Sequence, residues 1–111
     1  MQIKEGVKMA FFGKKRQKKK ATRGMFERIE VDGKTLPILN FYLYTDKNAG
    51  KRYIELSAAQ EVPEIHFSEI EADVILTEKK LHLSCIFADA FQNGKFKVYK
   101  FEVVNLKEYF H

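Results

Sequence analysis

Short runs of alternating apolar and polar residues, separated by turn dipeptides, fill the chain from Met25 to its end. Alternation with a period of two places successive side chains on opposite faces of a strand. Asp32-Gly33 and Asn93-Gly94 are dipeptides that supply the positive φ of tight hairpin turns. We therefore predict a mostly β fold, a small barrel of five or six strands that is closed or partly open and OB-like or SH3-like.

One segment, Glu64 to Asp73, fits two structures. Phe67, Ile70 and Val74 recur at helical spacing, which favours a helix of one or two turns. The alternative is that the stretch leads straight into a strand. The predicted fold therefore contains at most one short helix.

Positive charge is concentrated at the N-terminus. Residues 1–23 contain nine Lys/Arg and one acidic residue, whereas the other 88 residues contain eleven Lys/Arg and fourteen Asp/Glu. The run Gly13–Lys20 has no periodicity and repels itself. We predict a flexible basic arm over residues 1–24 and a single β-rich domain over residues 25–111. A purine-rich ribosome-binding site, if it were translated in frame, would encode residues such as Lys4–Met9. Met9 is therefore an alternative to Met1 as the native start.

Several features indicate a cytoplasmic protein. The chain has one cysteine, Cys85, so no intrachain disulfide can form, which fits a reducing compartment. No apolar run approaches the roughly 18 residues that a membrane span needs. The apolar patch Met9–Phe12 precedes its lysines, whereas a signal peptide places its basic residues first.

The sequence has no pattern typical of a catalytic or metal site. His66, His82 and His111 lie far apart, and the sequence has neither the paired cysteines nor the His-x-x-x-His spacing typical of a metal site. His82 falls in the outward register of a strand, which predicts a surface histidine. Cys85 falls on an apolar face, which predicts a buried small residue instead of a nucleophile. We predict no enzyme, no catalytic residue, no metal and no cofactor.

The basic arm indicates a binding function. Its clustered side chains would neutralise phosphates and gain affinity from counterion release. The alternatives are a tail that aids solubility and a membrane attachment in which Phe11 and Phe12 insert while lysines meet anionic headgroups. Nucleic acid is favoured over both. The residues assigned to it are Lys14, Lys15, Arg16, Lys18, Lys19 and Lys20.

Tyrosines in outward register give a second indication. Tyr42, Tyr44 and Tyr53 fall on neighbouring predicted strands, beside Lys51 and Arg52. They could form a platform on which unpaired bases stack, each base contributing about 1–3 kcal/mol. The alternative is that these rings cover one sheet face while their hydroxyls reach water.

The segment from Tyr42 to Leu76 has a recognisable order of parts: a Tyr-x-Leu strand, a polar loop, a second strand closing on a small residue, a linker and an alternating strand. It resembles a family of small proteins carried by integrative and conjugative elements of Gram-positive bacteria. The resemblance implies a helicase processivity factor, which helps a host helicase unwind the element after a relaxase nicks it. A helicase or a relaxase is then an expected partner.

We therefore expect a non-enzymatic accessory factor that binds nucleic acid, with single-stranded DNA favoured, in replication or transfer of a mobile element. One alternative is a protein–protein interaction module of a mobile-element or phage assembly. The other is a peripheral membrane protein held by the basic arm. The sequence predicts no oligomeric state.

Overall fold

The computed structural model describes residues 26–111 and, for the backbone only, residues 18–22. These residues form strands and turns, without a helix in the described ranges. In chain order the strands are β1 (Lys18–Thr22), β2 (Arg28–Val31), β3 (Lys34–Leu36), β4 (Ile38–Asp46), β5 (Lys51–Ala58), β6 (Glu69–Ile75), β7 (Lys79–Asn93) and β8 (Phe96–Phe110).

The strands form one antiparallel sheet in the order β1-β4-β5-β8-β7-β6-β2-β3. A long hairpin of β7 and β8 occupies its centre and joins two half-sheets. The first half of β8 pairs with β5, and the first half of β7 pairs with β6. Two bulges interrupt the hairpin, because Ala88 of β7 and Val104 of β8 lack a partner in the ladder. Bulges bend and twist long strands, so the hairpin can belong to both half-sheets.

The sheet must curl, because its two ends are joined by one residue. β3 lies at one edge and β4 lies next to the other edge, yet only Pro37 separates Leu36 from Ile38. Consecutive Cα atoms are about 3.8 Å apart, so these two residues are at most about 7.6 Å apart. Phe26, which precedes β2, meets Phe41 of β4 with 5.7 Å between ring centroids. The concave side of the sheet is therefore almost enclosed.

The hydrophobic core fills this concave side. Strands of both half-sheets contribute fully buried side chains, among them Phe41, Leu56, Val74 and Phe101. The loop between β5 and β6 adds Val62 and Ile65 to the core. The loop is held by Tyr99, a buried residue of β8 whose hydroxyl accepts a hydrogen bond from the Val62 N–H at 2.8 Å.

The mostly β prediction is confirmed, and both predicted turn dipeptides connect paired strands. The described residues form eight strand segments instead of five or six, because Pro37 separates β3 from β4 and residues 18–22 add β1. A barrel is not confirmed, since no ladder joins β1 to β3 among the described strands.

The predicted helix between Glu64 and Asp73 is wrong. Residues 64–68 form a loop, and β6 begins at Glu69. In this strand Ile70, Ala72 and Val74 are all buried, because they lie on the core face of β6. Pairing with β2 and β7 therefore decides the conformation, and the helical spacing of the apolar residues does not.

The predicted arm is described in part. Residues 18–22 form β1, whose register places Lys18 opposite Asp46 and Lys19 opposite Thr45. Residues 1–17 and 23–25 lie outside the described residues. The flexibility of an arm over residues 1–24, and its boundary with the domain, stay predictions. The described residues contain no helix long and apolar enough to span a membrane.

Candidate nucleic-acid interface

The β4–β5 hairpin places the three predicted tyrosines on one face. Its turn is held by Asp46, whose Oδ1 accepts hydrogen bonds from the backbone N–H groups of Asn48 at 3.0 Å and Ala49 at 3.3 Å. Gly50 follows with a φ of 67°, a left-handed conformation that glycine adopts without a steric cost. This turn sets the register that puts Tyr44 directly opposite Tyr53.

The three rings form a continuous row, which we call the tyrosine ladder (Tyr42, Tyr44 and Tyr53). The ring centroids of Tyr42 and Tyr44 are 5.1 Å apart, and those of Tyr44 and Tyr53 are 5.8 Å apart. Lys100 of β8 completes the row, because its Nζ lies 4.4 Å from the centroid of the Tyr53 ring. An ammonium over an aromatic face is attracted by the ring quadrupole.

The three rings differ in exposure. Tyr44 is only 3% exposed, and its hydroxyl donates a hydrogen bond to Glu55 Oε2 at 2.8 Å. A base cannot stack on a ring that is already covered, and the Tyr44 ring lies between those of Tyr42 and Tyr53. Tyr42 and Tyr53 are half-buried. Tyr44 therefore fits the alternative in which a ring covers the sheet face, and a stacking role for Tyr42 and Tyr53 stays a prediction.

Lys51 and Arg52 stand at the start of β5, and both are exposed. Lys51 shares the face of Tyr53 because the two residues are two apart on a strand. Its Nζ lies 3.6 Å from Glu102 Oε1. Arg52 alternates with them and lies in the register of the buried Ile54, so it does not join the tyrosine face.

A groove opens beside these two residues. β5 and β8 pair from Ala58↔Lys97 to Tyr53↔Glu102, and the ladder between them then stops although both strands continue. The bulge at Val104 lies just past this point. The resulting groove has a volume of about 520 Å³ and is lined by Thr45, Gly50, Lys51, Arg52 and residues 102–106.

The predicted arm residues are brought to the ladder only in part. The backbone of Lys18–Thr22 pairs with β4, the strand that carries Tyr42 and Tyr44. Lys18, Lys19 and Lys20 therefore belong to the strand next to the tyrosines. Lys14, Lys15 and Arg16 lie outside the described residues, so their assignment stays a prediction.

Charge differs between the two halves of the sheet. The half formed by β1, β4, β5 and β8 contains eight Lys/Arg and four Asp/Glu, a net charge of +4. The half formed by β2, β3, β6 and β7 contains four Lys/Arg and five Asp/Glu, a net charge of −1. The tyrosine ladder thus lies in the more basic half-sheet, and three of the eight basic residues of that half are the lysines of β1.

Sequence reasoning missed Lys100 and Glu102. Both lie on the last strand, far from the tyrosines in sequence, and alternate with the buried Phe101. That alternation indicates that they face outward. Only the pairing of β8 with β5 shows that they stand beside Tyr53.

A polar cluster lies on the opposite half-sheet. His82 is in hydrogen-bond contact with Asp73 Oδ1 through Nδ1 at 2.7 Å and with Glu71 Oε1 through Nε2 at 2.9 Å. Ser84 donates a hydrogen bond to the same Glu71 oxygen at 2.9 Å. The prediction of an outward-facing His82 is confirmed, since its side chain is 31% exposed. The contacts link β6 to β7, and Ser84 does not meet the imidazole in a nucleophile–base pair.

Cys85 is buried, as predicted. Its removal from water raises the pKa of the thiol to about 12, and the nearby Glu71 carboxylate adds to the rise. A thiol with such a pKa stays protonated and is a poor nucleophile. The part of the chain that the structure describes has no group of three or more His, Cys, Asp or Glu placed to hold a metal ion.

Comparisons with protein-family models, with curated proteins and with solved structures find no match for this chain. The resemblance of Tyr42–Leu76 to helicase processivity factors therefore stays a prediction.

Proposed function

We propose that this chain is a non-enzymatic accessory factor that binds single-stranded nucleic acid, with DNA favoured, on the face formed by β1, β4, β5 and β8. The observation that carries the proposal is the tyrosine ladder with Lys100 beside it, next to a strand that contains Lys18, Lys19 and Lys20. Stacking rings next to cations are what a sequence-tolerant single-strand site needs.

The two partly exposed rings have separate roles in this proposal. Tyr42 and Tyr53 would each accept one base, and Tyr44 would hold them at a fixed spacing through its contacts with both rings. A base stacked on an aromatic ring contributes about 1–3 kcal/mol by alanine substitution. The lysines of β1 would contact phosphates and make the affinity depend on salt.

The biological setting that we propose is replication or transfer of a mobile element, with a helicase or relaxase as protein partner and the cytoplasm as location. The resemblance of Tyr42–Leu76 supports this setting. The basic half-sheet is compatible with it, because a processivity factor must hold a strand without reading all of its bases.

Fluorescence anisotropy with a labelled single strand of about 20 nucleotides tests the proposal, since one small β fold covers about 4–16 nucleotides. Affinity is measured between about 50 and 200 mM salt for the wild type and for the triple variant Lys18→Gln/Lys19→Gln/Lys20→Gln. Each lost phosphate contact lowers the slope of log affinity against log salt by about 0.7 on single strands. Neighbouring residues of a strand face opposite ways, so one or two of these lysines share the tyrosine face, and we expect the triple variant to lower the slope by about 0.7–1.4.

The matched control is Lys34→Gln/Lys79→Gln/Lys80→Gln, which removes the same charge from the opposite half-sheet. It should leave the slope within about 0.5 of the wild-type value.

Tyr53→Leu should weaken binding about tenfold at all salt concentrations. Equal effects of the two triple variants would contradict the assigned face. Absence of wild-type binding at low salt would contradict nucleic-acid binding altogether. Recovery of a protein partner in a pull-down after nuclease treatment would then favour the protein–protein interaction module. Sedimentation of the chain with anionic vesicles would favour the peripheral membrane protein.

A further inference from the structure

The groove at the start of β5 has a chemical character that differs from the rest of the basic face. It lies between two strands that pair as far as Tyr53↔Glu102 and then separate. Its volume of about 520 Å³ is within the range of about 300–1,000 Å³ typical of small-molecule sites. The groove is therefore large enough for one nucleotide and too small for a duplex.

The groove wall presents a cation beside a carboxylate. Lys51 Nζ and Glu102 Oε1 are 3.6 Å apart, with 51% and 30% of their side chains exposed. A surface ion pair of this kind contributes about 0–1 kcal/mol, so a ligand that satisfies both groups can replace it at little cost. Asn105 lines the same groove and adds an amide group.

The purine guanine matches this arrangement. Its Watson–Crick edge presents an acceptor, O6, followed by two adjacent donors, the N1–H and the exocyclic amino group. A carboxylate has only acceptors and a lysine only donors. Lys51 would therefore donate to O6 while the two oxygens of Glu102 accept from N1–H and the amino group.

The other bases fit less well. Adenine and cytosine each place a single exocyclic donor beside an unprotonated ring nitrogen, which would face the carboxylate lone pairs. Thymine has one ring N–H between two carbonyl oxygens, so the second carboxylate oxygen would meet an acceptor. Among the four bases of DNA, guanine alone offers Glu102 two donors side by side.

The position of Glu102 joins the groove to the tyrosine ladder. Tyr53 of β5 and Glu102 of β8 are directly opposite each other in the pairing of these two strands, so their Cβ atoms are about 4.5–5.5 Å apart on one face. A base whose edge contacts Glu102 therefore lies beside the Tyr53 ring. We propose that this groove is a guanine-specific subsite in which Lys51 and Glu102 read the Watson–Crick edge next to Tyr53. The inference rests on the proposed nucleic-acid binding and adds base selectivity to it.

The test uses oligo-dT of about 20 nucleotides with one central residue replaced by dG, dA or dC. The wild type should prefer the dG strand, because the register that places dG in the groove gains about tenfold, the discrimination typical of one well-placed bidentate contact. Glu102→Gln should abolish the preference and leave the affinity for oligo-dT within about twofold. Inosine lacks the exocyclic amino group and should lose most of the gain, whereas 7-deazaguanine keeps the Watson–Crick edge and should retain it.

A second pair of variants tests the groove itself. Val104→Trp would fill it, and Leu39→Trp is the matched control, because both side chains are 54% exposed and Leu39 does not line the groove. Only Val104→Trp should remove the preference for dG. Guanosine monophosphate is added as a competitor. If it displaces the labelled dG strand, the free nucleotide is a sufficient ligand for the groove. If only an unlabelled dG strand displaces the labelled one, the groove requires a base within a strand.

The outcomes separate this inference from the proposed function. Equal wild-type affinity for the four strands, with binding still dependent on Tyr53 and on the β1 lysines, would overturn the guanine subsite and leave the proposed function standing. A dG preference that Glu102→Gln does not change would also overturn it. Failure to bind any strand at low salt would overturn the proposed function.

Discussion

Replacing Tyr99 with Phe would delete a single oxygen atom from the centre of the domain. Tyr99 is 0% exposed, and its hydroxyl accepts a hydrogen bond from the backbone N–H of Val62 at 2.8 Å. Val62 is itself only 3% exposed, so water cannot easily replace the lost oxygen. The substitution keeps the ring and its packing, and it leaves a buried N–H without its acceptor.

The expected cost follows from that unpaired group. A buried donor without a partner costs about 1–3 kcal/mol. In a domain of 60–100 residues, 1 kcal/mol lowers Tm by about 4–8 °C, so Tyr99→Phe should lower Tm by about 4–24 °C. Urea denaturation should show a lower midpoint with an unchanged m-value, because the surface exposed on unfolding stays the same.

Amide hydrogen exchange gives the local readout. Loss of the acceptor should increase the exchange rate of the Val62 amide more than the rates of amides in the β7–β8 hairpin. Tyr109→Phe is the control, since Tyr109 is 48% exposed, and its effect should stay within about 0.5 kcal/mol. A cost for Tyr99→Phe below about 0.5 kcal/mol, with the Val62 amide as protected as in the wild type, would refute this account of how the loop is held.

Two further predictions concern the half-sheet formed by β2, β3, β6 and β7. Folding raises the pKa of the Cys85 thiol from 9.0 to about 12, so the unfolded chain loses the thiol proton at a lower pH than the folded protein does. The stability that this group contributes is therefore complete below pH 9 and falls as the pH rises from 9 towards 12. Urea denaturation at several pH values in this range measures the fall. A Cys85→Ser variant that keeps the same pH dependence would contradict this. His82→Ala should destabilise the fold by about 1 kcal/mol, because Glu71 and Asp73 both lose a hydrogen-bond partner. The control is His66→Ala, which should have little effect because His66 is exposed. Denaturation midpoints compare the two, and equal costs would show that the His82 contacts do not stabilise the sheet.

Local sequence patterns predicted the hairpin turns and most of the strands, but neither β1 nor the first residues of β6. In β5 the apolar residues Ile54 and Leu56 alternate with Tyr53 and Glu55, and both apolar side chains are fully buried. Asp32-Gly33 formed the predicted hairpin turn, with positive φ values of 50° and 86°. These features are local, because a strand's period and a turn's φ depend on residues only a few positions apart.

The pairing of distant strands was decided only by the tertiary structure. Sequence placed Tyr42, Tyr44 and Tyr53 on one face, but it could not show that Tyr44 would be covered or that Lys100 would stand over Tyr53. It could not show that β8 would leave β5 after Glu102 and open a groove. A β-sheet joins residues far apart in the chain, and which strands become neighbours depends on how all of them together enclose one core. The tyrosines of the candidate interface were therefore readable from sequence, whereas Lys100, Glu102 and the geometry were not.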